Sequence, residues 1–310
     1  MKENLLVVGH INMDTIHTQQ ADATESPGGG AMYMAFAASV YGEPVDLLST
    51  RCSDVSEWIF DQMHQKKINT DNVLPILGKQ RRSSMSYTAD FKRTNLAHAT
   101  GSWLEATIEQ VPRHLPLRQK KYDVVYLAQM LAANQLLYAK WAKAQGATVA
   151  LDISEYYAKQ NLSALLECLQ FVDIFMPSTV ELDLMFPEYS GDIDAIAKQI
   201  RKSTSVNKLV VKCASEGSRI YDFCNRQFVS VGIHPVGRIV DATGAGDSYN
   251  GGFLSYWMAT GNAVLSAKYA AVVAGACIQD FSFRNLLNKN RNEIEALADT
   301  VPAIPFDFSE

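Results

Sequence analysis

The chain has 310 residues, 47% of them apolar and 20% charged, with a formal net charge of −5. That balance describes a soluble globular protein with material for one large domain or two ordinary ones, and it offers no basic footprint for nucleic acid or an anionic membrane surface. The cysteines Cys52, Cys168, Cys213, Cys224 and Cys277 form no C-x-x-C pair and are odd in number, which suits free thiols in a reducing compartment better than a disulfide frame or a zinc site.

From the N-terminus, Leu5-Leu6-Val7-Val8-Gly9 predicts a buried first strand, followed by His10-Ile11-Asn12-Met13-Asp14. The apolar stretch is too short for a secretory signal and no later run reaches membrane-spanning length, so a cytoplasmic protein is expected. Pro27-Gly28-Gly29-Gly30-Ala31 then opens a helix that ends near Tyr41-Gly42. Further strands are expected over 45–49, 123–128, 148–152, 172–176 and 209–212. Helices are expected over 31–41, 55–66, 134–144, 162–169 and 193–202. Short apolar strands alternating with helices predict an α/β fold, a three-layer sandwich around a mostly parallel central sheet. Ligands of such a sheet bind at the carboxyl ends of its strands. The alternating pattern of Met85, Tyr87, Ala89 and Phe91 interrupts this rhythm and predicts extra strands. The last third, over 245–260, 263–281 and 291–297, reads as helical.

One run carries chemistry: Asp241-Ala242-Thr243-Gly244-Ala245-Gly246-Asp247, leading directly into an apolar helix. Small residues before a helix leave backbone N–H groups uncovered at the positive end of its dipole, a seat for phosphate. A carboxylate at the rim repels phosphate, yet it is well suited to take a proton from a hydroxyl that attacks one. The pattern points to phosphoryl transfer, with Asp247 as general base and the backbone of Gly244, Ala245, Gly246 and Asp247 as an anion hole. A dinucleotide-binding dehydrogenase is excluded by position: no G-x-G-x-x-G follows the first strand.

This D-x-T-G-A-G-D run resembles the signature of the ribokinase-like (PfkB) family of carbohydrate and nucleoside kinases. The first strand, Asp14 and the Gly28-Gly29 turn are similar to the family's N-terminal signature, so the resemblance spans the chain. It implies a single kinase domain over 1–310 with a small β lid formed by about 15–26 and 82–100; a homodimer through that lid is a further expectation. On the substrate side it implies Asp14 for the sugar hydroxyls, Asn12 beside it, Gly28 and Gly29 beneath the substrate, and Tyr33 where most members carry asparagine. On the nucleotide side it implies ATP held by Lys212, Ser215, Gly217, Thr243 and Ser178. It also implies a magnesium ion served through water by Glu181 and a monovalent cation such as K+ near Asp241. Departures are Ser178 for asparagine in the N-x-x-E element, Ala214 for glycine, and no glycine over 280–285. The resemblance implies ATP-dependent phosphorylation of a hydroxyl on a sugar or sugar-containing small molecule. A nucleoside kinase of the same family and a ligand-binding homologue without turnover remain as alternatives.

Overall fold

Leu5, Leu6, Val7 and Val8 are all buried, and only a strand with a layer on each side hides every residue of such a run. The computed structural model describes residues 4–18, 21–89, 93–97, 113–118, 120–160 and 162–309. In chain order the strands are β1 (Leu5–Val8), β2 (Asn12–Thr18), β3 (Ala21–Gly28), β4 (Val45–Arg51), β5 (Ile68–Pro75), β6 (Arg82–Tyr87) and β7 (Arg93–Ala97). They continue with β8 (Val124–Leu127), β9 (Thr148–Leu151), β10 (Ile174–Phe175), β11 (Lys208–Lys212), β12 (Ser218–Asp222), β13 (Gln227–Val231) and β14 (Ala303–Pro305). The helices are α1 (Gly30–Ser39), α2 (Glu57–Gln65), α3 (Ala132–Ala144), α4 (Glu155–Gln160), α5 (Leu162–Cys168) and α6 (Thr179–Met185). After them come α7 (Ile193–Ser203), α8 (Ala245–Thr260), α9 (Ala263–Cys277) and α10 (Arg291–Ala298).

Among the described residues a ten-stranded sheet runs in the order β14-β13-β12-β11-β10-β9-β8-β1-β4-β5. From β5 to β11 every pairing is parallel, and the β11 to β14 end is antiparallel. The expected α/β sandwich is therefore present. Alternate residues of β1 feed opposite cores: Leu5 and Val7 pack with α1, α8 and α9, whereas Leu6 and Val8 pack with α3, α5 and α7. Helix α8 lies tightly between its neighbours. A side-chain carbon at Gly251 would collide with the Met34 carbonyl, and one at Gly252 would come 3.1 Å from the Ala270 Cα. Close packing of this kind holds the start of α8 over the carboxyl edge of the sheet.

A second sheet, in the order β3-β2-β6-β7, is formed by the segments read as extra strands. It begins at Asn12, earlier than expected, so Asp14 stands on one of its strands. Positions 19–20, 90–92 and 98–100 of the expected lid lie outside the described residues. Two expectations need correction. Strand β10 pairs over Ile174 and Phe175 alone, and α9 stops at Cys277 rather than at 281. Beyond α9 the chain turns, with the Val240 N–H donating to the Ile278 carbonyl and Ser282 at φ 60.

Candidate active site

The turn before α8 is built as the sequence suggested, with one difference. Asp241 Oδ1 accepts the Thr243 N–H at 2.9 Å, and Gly244 follows at φ 77, the left-handed region that glycine enters at little cost. Any side chain at Gly244 would strike the Tyr33 ring. The Ala245 N–H, expected in the anion hole, instead points at the Ala242 carbonyl, 3.3 Å away, because the turn closes on itself. The amides left to face an anion are those of Gly244, Gly246 and Asp247.

Asp247 sits at this mouth among charges supplied by separate strands. Lys212, at the end of β11, donates to Asp152 Oδ2 at 2.9 Å, and its stem runs 3.5 Å from where a Gly246 side chain would begin. Asp152, fully buried just past β9, also accepts from Asn250 Nδ2 at 2.8 Å and from Gln129 Nε2 at 3.2 Å. Gln129 reaches Asp247 Oδ1 at 3.1 Å as well. Burial raises Asp247 to about 7; Asp152 and Asp14 push the same way and Lys212 opposes them. A carboxyl group near neutrality is suited to accept a proton at ordinary pH.

Asp152, Gln129 and Asn250 were missed in the sequence. Each strand offered a signal, since Asp152 and Gln129 are polar residues that follow buried apolar runs at the carboxyl edge.

On the opposite side of the mouth, Asp14 is buried and accepts the Ser83 hydroxyl from β6. Its other oxygen lies against Gly28 so closely that no side chain fits there. Burial is the main cause of its rise to about 6. Asn12 Oδ1 and His10 Nε2 are both buried without a hydrogen-bond partner. Gly29 takes φ 100, a region only glycine enters readily, and any side chain there would also meet the His10 carbonyl. Tyr33, expected on the substrate side, presents no open aromatic face. It is 1% exposed and its ring supports Gly244 from below, with the hydroxyl unpartnered.

Of the residues expected on the nucleotide side, Lys212 lies against this turn. Ser178 caps α6, accepting the Glu181 N–H at 3.3 Å while its own N–H donates to Glu181 Oε2 at 2.6 Å. Glu181 is buried, and burial together with Asp152 lifts it to about 7. Ser178 bridges in parallel to Lys212, so the cap and the lysine are neighbours. Ser215 is exposed in a short turn over Ala214–Glu216, closed by Gly217 at φ 89. Ala214 takes φ 50, so the position that departs from glycine still adopts a glycine-like conformation. Thr243 Oγ1 lies 2.9 Å from the Tyr87 hydroxyl of β6.

No group of three or more His, Cys, Asp or Glu side chains suited to a metal ion occurs among the described residues. Magnesium carried with a polyphosphate keeps most of its water and needs only one or two carboxylates, and Glu181 is the one expected to serve it. Asp241 Oδ2 is buried without a hydrogen-bond partner, an orphan acceptor that a monovalent cation would satisfy.

Comparison with known proteins identifies the family and the fold. The pattern described as "pfkB family carbohydrate kinase" matches residues 2–290. The cytidine kinase of Thermococcus kodakarensis is 26% identical over 258 residues, 81% of this chain and 87% of that protein. Among solved structures, a nucleoside kinase of Methanocaldococcus jannaschii superposes with a TM-score of 0.77 at 20% identity, covering 96% of this chain and 98% of that one. A ribokinase of Arabidopsis thaliana, solved with ribose and ATP, gives a TM-score of 0.75 at 18% identity over 96% and 99% of the two chains.

Proposed function

The chain belongs to the pfkB family of carbohydrate kinases, phosphotransferases with an alcohol acceptor, and from that premise we propose that it transfers the γ-phosphoryl group of ATP to a hydroxyl of a sugar or nucleoside. The observation that carries this reading is the part-buried Asp247 carboxyl group, held by Gln129 beside the amides that open α8.

Asp14 and the backbone at Gly28 and Gly29 hold the acceptor by its hydroxyls. A buried carboxylate that faces hydroxyls selects strongly against analogues lacking them. Asp247 takes the proton of the attacking hydroxyl as the new P–O bond forms. The Gly246 and Asp247 amides, with the Lys212 ammonium behind them, offset the charge of the phosphoryl group in flight. Magnesium bound with the nucleotide supplies further positive charge. Glu181 would orient its water shell. The small sheet acts as the lid that keeps bulk water out of the transfer.

A nucleoside acceptor is favoured by the similarity to the cytidine kinase, which extends over most of both chains. Against a stacking pocket stands the burial of Tyr33, so base recognition would fall to other residues. ADP release measured with magnesium and ATP across free sugars, sugar phosphates and nucleosides, with and without potassium, tests the proposal. Turnover of a free sugar or nucleoside supports it, and ADP release that no alcohol stimulates contradicts it.

A further inference from the structure

We infer that Gln129 is a positioning residue for the proton acceptor, its side-chain amide fixing the orientation of the Asp247 carboxyl group. The inference rests on the kinase reading above and goes beyond it. The amide nitrogen has two hydrogens, and both are engaged: 3.1 Å to Asp247 Oδ1 and 3.2 Å to Asp152 Oδ2. Two carboxyl groups facing each other away from water repel when ionised, and an amide donating to both is a neutral spacer that favours each charge.

The anchor behind the amide is rigid. Asp152 is fully buried, its Oδ1 accepts the Ile153 N–H at 2.9 Å, and its Oδ2 also serves Lys212 and Asn250. Asn250 in turn donates to the Tyr126 hydroxyl at 3.0 Å. The front is closed by backbone, for a side chain at Gly30 would come 2.7 Å from Asp247 Oδ1 and 3.2 Å from Gln129 Oε1. With Oδ1 tied, Oδ2 is the oxygen that receives the proton. In the balanced step the acceptor O–H bond breaks and its proton passes to Asp247 Oδ2. The acceptor oxygen bonds to phosphorus, and the bond to the bridging oxygen of ATP breaks with its electron pair leaving on ADP.

The groups that bear on the titration of Asp247 are Asp152 after β9, Lys212 on β11, Asp14 on β2, Tyr126 on β8 and Cys277 on α9, and Glu181 of α6 acts on the same Lys212. Gln129→Met keeps the length of the side chain and removes both donors. Expected are a fall in kcat of about 10- to 100-fold with KM for ATP within about twofold, and an acid limb of the kcat profile moved to higher pH. Asp152→Asn, which removes a like charge, moves that limb to lower pH. Steady-state kinetics use the fastest acceptor of the sugar and nucleoside panel. A 13C NMR titration of aspartate-labelled protein, with Asp247 assigned through Asp247→Asn, reads the same shift without any acceptor. Gln129→Met with kcat within about threefold of the parent overturns the inference. So does a fall in kcat with neither the limb nor the NMR titration moved, which gives Gln129 a structural role. If Asp247→Asn itself turns over normally, the kinase mechanism fails; if only Gln129→Met does, the present inference alone fails.

Discussion

The Tyr87 hydroxyl on the small sheet stands 2.9 Å from Thr243 Oγ1 in the turn that opens α8. One hydrogen bond thus joins the strands that carry Asp14 and Ser83 to the turn proposed to face phosphate. Tyr87→Phe removes a neutral bond with a net worth of about 1 kcal/mol, or roughly a fivefold change in an equilibrium. The expected result is a KM for the acceptor raised several-fold and a larger share of ATP hydrolysed by water. Comparing ADP formed with phosphorylated product formed measures that share, and an unchanged ratio counts against the coupling.

Gly30 is needed for room rather than for its backbone angle. Gly30→Ala would press a methyl group onto Asp247 Oδ1, 2.7 Å from the new carbon. Displacing a reacting group by a fraction of an ångström to one ångström can cost about 10²-fold in rate. Turnover should fall by about 10- to 100-fold while thermal unfolding is little changed, as a melting curve beside the kinetics will show.

Glu181 has two duties that one substitution separates. Gln can still serve the capping box with Ser178, so Glu181→Gln should leave the melting temperature nearly unaltered. Its lost charge should raise the magnesium concentration needed for half-maximal activity several-fold, a change read by magnesium titration at fixed ATP. An unaltered requirement removes Glu181 from the metal's surroundings.

The carboxyl groups set opposite pH trends for activity and stability. Asp247 works as a base only when unprotonated, so turnover should rise as pH climbs through about 7. For stability, burial lifts Asp14 to about 6 and Asp247 and Glu181 to about 7, above their values of about 4 in an unfolded chain. Between those limits the folded state holds more protons than the unfolded one, so stability is present at low pH and is lost as pH rises through the folded values. The thermal midpoint should therefore be higher near pH 5.5 than near pH 8 at constant ionic strength. A midpoint that climbs with pH over that window would show the carboxyl groups ionised and well paired.

The sequence made the phosphate turn legible because Asp241 to Asp247 are contiguous and their chemistry does not depend on tertiary contacts. Asp14 was legible as the acid just beyond an unmistakable buried strand. Gln129, Asp152 and Asn250 were not, since each is one polar residue whose partners lie on other elements, and only the sheet order brings them together. The strands β12 and β13 were missed for a related reason: Ser218-Arg219-Ile220-Tyr221-Asp222 buries polar ends by pairing them, so its pattern shows no clean alternation. Tyr33 was assigned to the substrate from its place in the helix. The structure shows that α1 is buried all round and turns that ring under Gly244.

The central claim is tested most directly by Asp247→Asn, a substitution that keeps the size of the side chain and removes its charge and its ability to take the proton. Calorimetry should find ATP binding largely intact, and turnover on the best acceptor should drop by roughly 10²–10⁴-fold. A folded Asp247→Asn protein that phosphorylates its acceptor at near the parental rate would contradict the account.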